Sequence, residues 1–179
     1  MGRAEELFQA WLDEVGFGQD PDMAGTATRF TEMFREFAPR PIEPLLDSFT
    51  IVPVTTPPDA PTTAVAVRSM PFYAFCAHHL VPFFGHASVA YQPDRALAGF
   101  GSVARVIQHY ARRPTLQEHL ADNVANALVG KLAPKGLVVR LQARQMCMEM
   151  RGANMPGEVE VLAVRGQVDA TLLDMARVG

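Results

Sequence analysis

Apolar residues recur at helical spacing near the start of the chain. In residues 3–15 they lie three, four, seven and eight positions apart, and Gly16 and Gly18 follow. A second pattern of this kind covers residues 26–37 and ends at a proline-rich stretch. The spacing therefore predicts two amphipathic N-terminal helices, and Thr26 or Thr28 could cap the second.

Strand and helix signals alternate in the rest of the chain. Period-two or β-rich patterns predict strands at residues 63–75, 86–92, 137–143 and 159–168. Helical spacing predicts two central helices, at residues 102–111 and 115–132. The result is an α+β protein in which strand pairs flank the two central helices.

The patterns also suggest how the chain is divided. A Pro/Thr-rich connector, residues 53–62, is short enough to be a loop within one domain. We expect an N-terminal helical region, residues 1–50, and a larger region, residues 51–179, within a single domain overall.

Composition agrees with a globular protein that has its own core. The chain has 179 residues, of which 49% are apolar and 20% charged. A net charge of −3 gives no basic field for non-specific nucleic-acid binding. No apolar run approaches the roughly 20 residues of a membrane span, and the N-terminus lacks the apolar middle of a secretory signal. These features predict a cytoplasmic protein with neither nucleic acid nor membrane as a partner.

Cys76 and Cys147 are the only cysteines in the sequence. They could be two buried small hydrophobes, but Cys76 begins the run Cys-Ala-His-His, in which Cys76 and His79 can face one ion. Cys147 is the only other thiol available as a third ligand. Two thiolates and an imidazole suit zinc, and the open fourth position is typical of a catalytic ion that lowers the pKa of a bound water to about 7.

His78 is then a non-ligand imidazole beside the metal, where it could move protons, although a structural or surface role is the alternative. The other histidines, His86, His109 and His119, have no such setting, and we expect them to be solvated or packing residues.

Two further groups could bind a substrate. Gln117-Glu118 is either a solvated helical pair or a purine-recognition pair, since a carboxylate can accept two N–H bonds from guanine. Arg29, Arg105 and Arg151 are either surface charges or phosphate ligands, because a guanidinium makes paired hydrogen bonds to phosphate.

Four blocks together resemble type IA GTP cyclohydrolase I, over about residues 26–168: PFYAFCAHHLVPFFGHASVAY, GSVARV, RRPTLQEHL and MCMEMRGANMPG. The resemblance implies the tunnelling fold (T-fold), with antiparallel sheets and helices around a central tunnel. It also implies a homodecamer of two face-to-face pentamers, with active sites at subunit interfaces. The implied reaction opens the imidazole ring of GTP at C8, releases formate and yields 7,8-dihydroneopterin triphosphate.

The resemblance also implies the role of each site residue. One Zn²⁺ per subunit would be held by Cys76, His79 and Cys147, and His78 would be the catalytic histidine. Glu118, with its neighbour Gln117, would bind the guanine. The phosphate-side arginines would be Arg29, Arg105 and Arg151.

The chain departs from the family pattern at several of these positions. Gln145 replaces a second catalytic histidine, and an amide cannot exchange a proton near pH 7. Ala77 replaces an acid, and Gly101 and Ser102 replace a phosphate-binding serine and lysine, which leaves Ser102 as a candidate substrate contact.

Three hypotheses follow from these departures. The protein is an ordinary GTP cyclohydrolase I; or a divergent enzyme that stops after ring opening or uses a guanine nucleotide or nucleoside with fewer phosphates; or a non-catalytic purine- or pterin-binding relative.

Overall fold

The computed structural model describes residues 2–55 and 63–177. It divides into two compact units, Met1–Pro39 and Arg40–Gly179. Most of the predicted connector, residues 56–62, lies outside the described residues. The predicted boundary between residues 50 and 51 stays a prediction.

The first unit contains the two predicted N-terminal helices. Helix α1 is Arg3–Glu14 and helix α2 is Thr26–Glu36, with a 3₁₀ turn at Pro21–Met23 between them. The rings of Phe8 and Phe30 stack between the helices, with centroids 4.0 Å apart and planes 5° apart. Neither threonine caps α2, because Gly25 takes the N-cap position in the left-handed conformation at φ 73°.

The second unit is built on a four-stranded antiparallel sheet. Its elements, in chain order, are α3 Glu43–Asp47, β1 Ile51–Pro53, β2 Val65–Phe75, β3 Pro82–Gln92, β4 Ala96–Ala98, α4 Phe100–Ala111, α5 Gln117–Leu132, β5 Gly136–Gln145, α6 Met146–Glu149, β6 Glu158–Gly166 and α7 Ala170–Met175. The sheet order is β2-β3-β5-β6, and β1 pairs with β4 in a separate two-stranded ribbon. The predicted α+β class, strands and central helices are confirmed.

The core lies between one face of the sheet and helices α4 and α5. Val89 and Val139 are paired across β3 and β5 on this face, where they are fully buried in the same cluster as Leu120. The next pair along these strands, Ala90 and Val138, faces the opposite side and packs against α7. Alternation along the strands therefore buries both faces of the sheet at this end.

Some short elements were not predicted, namely α3, α6, α7 and the β1-β4 ribbon. Strand β3 also begins at Pro82, earlier than residue 86, so that Phe83 enters the core. In the described parts of the chain, every helix is too short or too polar to cross a bilayer. The cytoplasmic location stays a prediction.

Candidate metal centre and active-site cleft

A tight turn between β2 and β3 brings Cys76 and His79 together. The N–H of Cys76 donates to the Val81 carbonyl at 2.9 Å, and the N–H of Leu80 donates to the Cys76 carbonyl at 2.8 Å. Leu80 closes the turn with φ 52°, a conformation that is uncommon for a branched residue. As a result, Cys76 Sγ and His79 Nδ1 lie 4.0 Å apart.

The backbone of Thr115 braces this turn from the side of the central helices. Its N–H donates to the Phe75 carbonyl at 2.9 Å, and its carbonyl accepts from the N–H of Ala77 at 3.1 Å. These two bonds form an isolated parallel bridge between Cys76 and Thr115. Helix α5 begins two residues later, so its first turn is fixed beside the cysteine and histidine.

The second thiol reaches the same place from the end of β5, where Gln145 is paired with Phe83 at the start of β3. Cys147 lies in the short helix α6, directly after β5. The ligand atoms of Cys76, His79 and Cys147 all lie within 4.8 Å of one another. A tetrahedral zinc ion, with bonds of about 2.0–2.3 Å, would hold its ligands roughly 3.5 Å apart. Small side-chain rotations would therefore suffice, and the cluster is compatible with a metal site.

The protein environment changes the acidity of Cys147. Burial raises the pKa of the Cys147 thiol, and the neighbouring Cys76 thiol raises it further, while the Arg151 guanidinium acts to lower it. Among the predicted phosphate-side arginines, Arg151 is therefore the one whose charge acts on the Cys147 thiol.

A cleft of about 480 Å³ opens beside this cluster. It brings together six of the predicted site residues, Cys76, His78, Gln117, Glu118, Gln145 and Cys147. Glu118 and His78 are exposed there, so both can reach a bound molecule. The cleft is large enough for a ligand of the size of a nucleoside.

His119 also lines this cleft, although the sequence predicted a solvated or packing residue. A second cleft of about 540 Å³ continues from the first and shares His78, Thr115, Leu116 and His119 with it. The feature of the sequence that could have predicted this is the position of His119 directly after Glu118, in the first turn of α5.

Gln117 differs from its neighbour Glu118 because its side chain is buried. Its amide nitrogen donates to the carbonyls of Leu141, at 3.1 Å, and Val159, at 2.9 Å. Its amide oxygen accepts from Gln145 Nε2 at 2.6 Å. The Gln117 side chain is thus committed within the protein, and Glu118 is the member of the pair that is exposed to a ligand.

Gln145 is fixed by Gln117 and presents its oxygen to the Cys147 thiol. Its Oε1 lies 4.0 Å from Cys147 Sγ, within the distance of a weak S–H···O hydrogen bond. The charged residues on either side are committed to each other. Arg144 Nε donates to Glu149 Oε1 at 3.0 Å, and a second bond joins Arg144 Nη2 to Glu149 Oε2. This pairing lowers the pKa of Glu149, which keeps that carboxyl ionised near pH 7.

The sequence predicted that Ser102 contacts the substrate directly, and this is wrong because Ser102 is buried. Its hydroxyl accepts from the N–H of Thr50 at 3.0 Å and from Arg105 Nη2 at 2.9 Å. It therefore orients Arg105, which is exposed on α4 but is not among the described residues that line either cleft. Arg29 belongs to the first unit, where its Nη2 donates to the Ala24 carbonyl and Thr26 Oγ1.

Comparisons with known proteins agree on one family. A family model described as GTP cyclohydrolase I matches residues 4–174. The GTP cyclohydrolase 1 of Carboxydothermus hydrogenoformans is 38% identical over 158 residues, covering 83% of this chain and 78% of the relative. That of Streptococcus mutans is 41% identical over 166 residues, covering 90% and 83%.

A solved structure supports the predicted architecture. The apo form of the archaeosine synthase QueF-Like matches with a TM-score of 0.51 and 21% identity, covering 62% of this chain and all of that chain (100%). At this identity the likeness concerns the fold alone, and it confirms the predicted tunnelling fold.

Proposed function

This chain belongs to the GTP cyclohydrolase I family, and we propose that it is a zinc-dependent hydrolase that opens the imidazole ring of GTP, or of a related guanine compound, at C8 and releases formate. One observation carries the proposal. Two of the three metal-ligand candidates, Cys76 and Cys147, line the same cleft as His78 and Glu118. The residues proposed as metal ligands, proton carrier and guanine acceptor therefore line one cavity.

The ligands of the single Zn²⁺ would be Cys76, His79 and Cys147. When bound, zinc would act as a Lewis acid and lower the pKa of a coordinated water to about 7. The donor set suits this ion, because it supplies two soft thiolates and an imidazole and leaves a fourth position for solvent.

His78 is proposed to move protons between water and the purine ring. Its ring lies next to that of His79, with centroids 6.2 Å apart and planes at 86°, and its side chain is exposed in the cleft. An imidazole there can accept a proton from water and return it to a ring nitrogen.

Glu118 is proposed to hold the guanine by accepting its ring N–H and amino N–H. Arg151, whose charge reaches Cys147, would take the phosphate side together with Arg105 and Arg29. The hydroxyl of Ser102 would act indirectly, by orienting Arg105.

We further propose that Arg105 and Arg29 serve the site of a neighbouring subunit, in a decamer of two pentamers. Strands β2 and β6 are the two edges of the sheet, so their outer backbone groups are open to pairing with another copy. Light scattering on the purified protein would test this assembly, and a monomer would contradict it.

A second candidate function is ring opening without completion of the reaction, or action on a substrate with fewer phosphates. The observation that favours it is the commitment of Gln145 to Gln117 and of Arg144 to Glu149. Neither pair offers an exchangeable proton near pH 7, where the family has a second histidine.

Mass spectrometry of products from GTP, GMP and guanosine tests both candidates. Formate together with dihydroneopterin triphosphate from GTP would support the complete reaction. A ring-opened product that retains the formyl group would support the second candidate. Guanine binding with neither turnover nor bound zinc would instead indicate a non-catalytic relative.

A further inference from the structure

Gln145 leaves one wall of the cleft without a proton carrier. Its amide can donate and accept hydrogen bonds, but it does not exchange protons near pH 7. Glu149, the nearest acid on α6, is bound by Arg144 and stays ionised. A second proton carrier for this cleft must therefore come from another wall.

The opposite wall supplies one. Among the described residues that line the cleft, the imidazoles are those of His78 and His119. His119 is exposed, and no hydrogen bond to the described residues holds its ring. Its side chain is therefore free to approach a bound molecule.

The backbone of His119 is nevertheless held firmly. The next residues along α5, Leu120 and Ala121, are fully buried in the core. The start of the same helix is tied to the Cys76 turn through the two backbone hydrogen bonds of Thr115. His78 and His119 thus stand on one rigid frame, and only their side chains need to move.

Because His119 lines both clefts, it also has a route to solvent. The charged and titratable groups that line these clefts with it are His78, Glu118, Arg113 and Asp122, together with the two cysteines. Asp122 is paired with Arg165 at 2.7 Å, and Glu118 is assigned above to the guanine. Apart from His78, His119 is the one imidazole among the described residues that line these clefts.

We propose that His119 is the second proton carrier of this site and takes over, from the first turn of α5, the task that Gln145 cannot perform. The inference rests on the proposed hydrolysis in this cleft. His119 is then a catalytic residue. It contacts the substrate nitrogen from which the formyl carbon, the former C8, is released.

The step balances as an ordinary hydrolysis. Water oxygen bonds to the formyl carbon while His78 takes a proton from that water. The carbon–nitrogen bond breaks, and the imidazolium of His119 gives its proton to the departing nitrogen. Formic acid loses a proton to solvent, and solvent returns the proton of His78 to His119 through the second cleft.

The test measures formate release against pH in the zinc-loaded enzyme, for the wild type, His119→Gln and His86→Gln. His86 is a matched control, because it is also exposed but lies on β3 and lines neither cleft. We expect His119→Gln to lower the rate about 10²-fold or more and to remove one ionisation from the pH profile. His86→Gln should match the wild type in both respects.

Two further measurements separate chemistry from structure. Zinc content and thermal unfolding should be unchanged in His119→Gln, since the side chain is exposed and is not a ligand. Adding Gln145→His to His119→Gln should restore part of the rate, because it returns an imidazole from the opposite wall.

An unchanged rate in His119→Gln, or a slower rate with the wild-type pH profile, would overturn the assignment. An equal loss in His86→Gln would do the same. Failure of the proposed function looks different, because the wild type would then release no formate from any of the three guanine substrates.

Discussion

Gln145 donates a 2.6 Å hydrogen bond to Oε1 of Gln117, whose own amide nitrogen is occupied by two main-chain carbonyls. Carbonyls only accept, so the nitrogen of Gln117 must face them and its oxygen must face Gln145. The nitrogen of Gln145 then points to Gln117, and its oxygen points to Cys147. The Leu141 carbonyl of β5 and the Val159 carbonyl of β6 thus determine that Gln145 presents its oxygen, and not its nitrogen, to Cys147.

Replacing Gln117 with Leu should destabilise the protein. The change leaves the Leu141 and Val159 carbonyls and the Gln145 amide without their partner, at a cost of about 1–3 kcal/mol. Urea unfolding of Gln117→Leu measures this loss. Gln108→Leu, at an exposed position of α4, is the control and should change the free energy of unfolding by less than about 0.5 kcal/mol. Equal stability of the two variants would contradict the buried network.

Removing one thiol should remove the metal. Cys147→Ser and Cys76→Ser each replace a soft ligand of the proposed zinc site. We expect metal analysis to show one zinc per subunit in the wild type and far less in each variant. Ser88→Ala, a change at a fully buried serine of β3 outside the cluster, is the control. Full zinc occupancy in both cysteine variants would exclude this site.

His78→Ala should separate metal binding from turnover. His78 is exposed and is not among the three clustered ligands, so zinc content should stay at the wild-type level. Formate release should fall by about 10²–10⁴-fold, the usual contribution of a positioned acid–base group. A variant that retains full activity would remove His78 from the mechanism.

Glu118→Gln should weaken guanine binding. The neutral amide loses a charge-assisted pair of hydrogen bonds, and affinity should fall by about 10-fold to 100-fold. Calorimetry with GTP measures this, and Glu36→Gln, at an exposed position of α2, is the control. Equal GTP affinity in both variants would show that another group recognises the base.

Gly85→Ala should destabilise the sheet where β3 meets β5. A Cβ at Gly85 would lie 2.0 Å from the Gln142 carbonyl oxygen and 2.7 Å from Ala143 Cα, so the backbone would have to move, at about 1–3 kcal/mol. Gly101→Ala is the matched control. Gly101 lies in helix α4, and a Cβ there would meet nothing within 4 Å. There we expect a gain of about 0.5–1 kcal/mol, measured by thermal unfolding.

The sequence predicted the longer elements well because periodicity accumulates over many residues. Helices α1, α2, α4 and α5 and the four sheet strands all follow from it. The helix α6 has only four residues, and the strands of the β1-β4 ribbon have three each, too few for a period to be recognised.

The site was predicted in part. The residue types and the family resemblance predicted that Cys76, His79 and Cys147 come together, and in the structure their ligand atoms lie within 4.8 Å of one another. Burial of Gln117 and Ser102 could not be predicted, because a polar residue is buried only when tertiary partners satisfy it. The position of His119 was missed for a related reason, since its setting depends on how α5 meets the Cys76 turn.

The bonds between Thr115 and the Cys76 turn involve main-chain atoms alone. Any residue other than proline at position 77 could donate the same N–H, whatever its side chain. The Cys76 turn is therefore insulated from side-chain changes at position 77, and the same two bonds hold the start of α5 beside it. Such a main-chain framework allows the side chains around the cleft to be exchanged during evolution while Cys76 and His79 keep their positions.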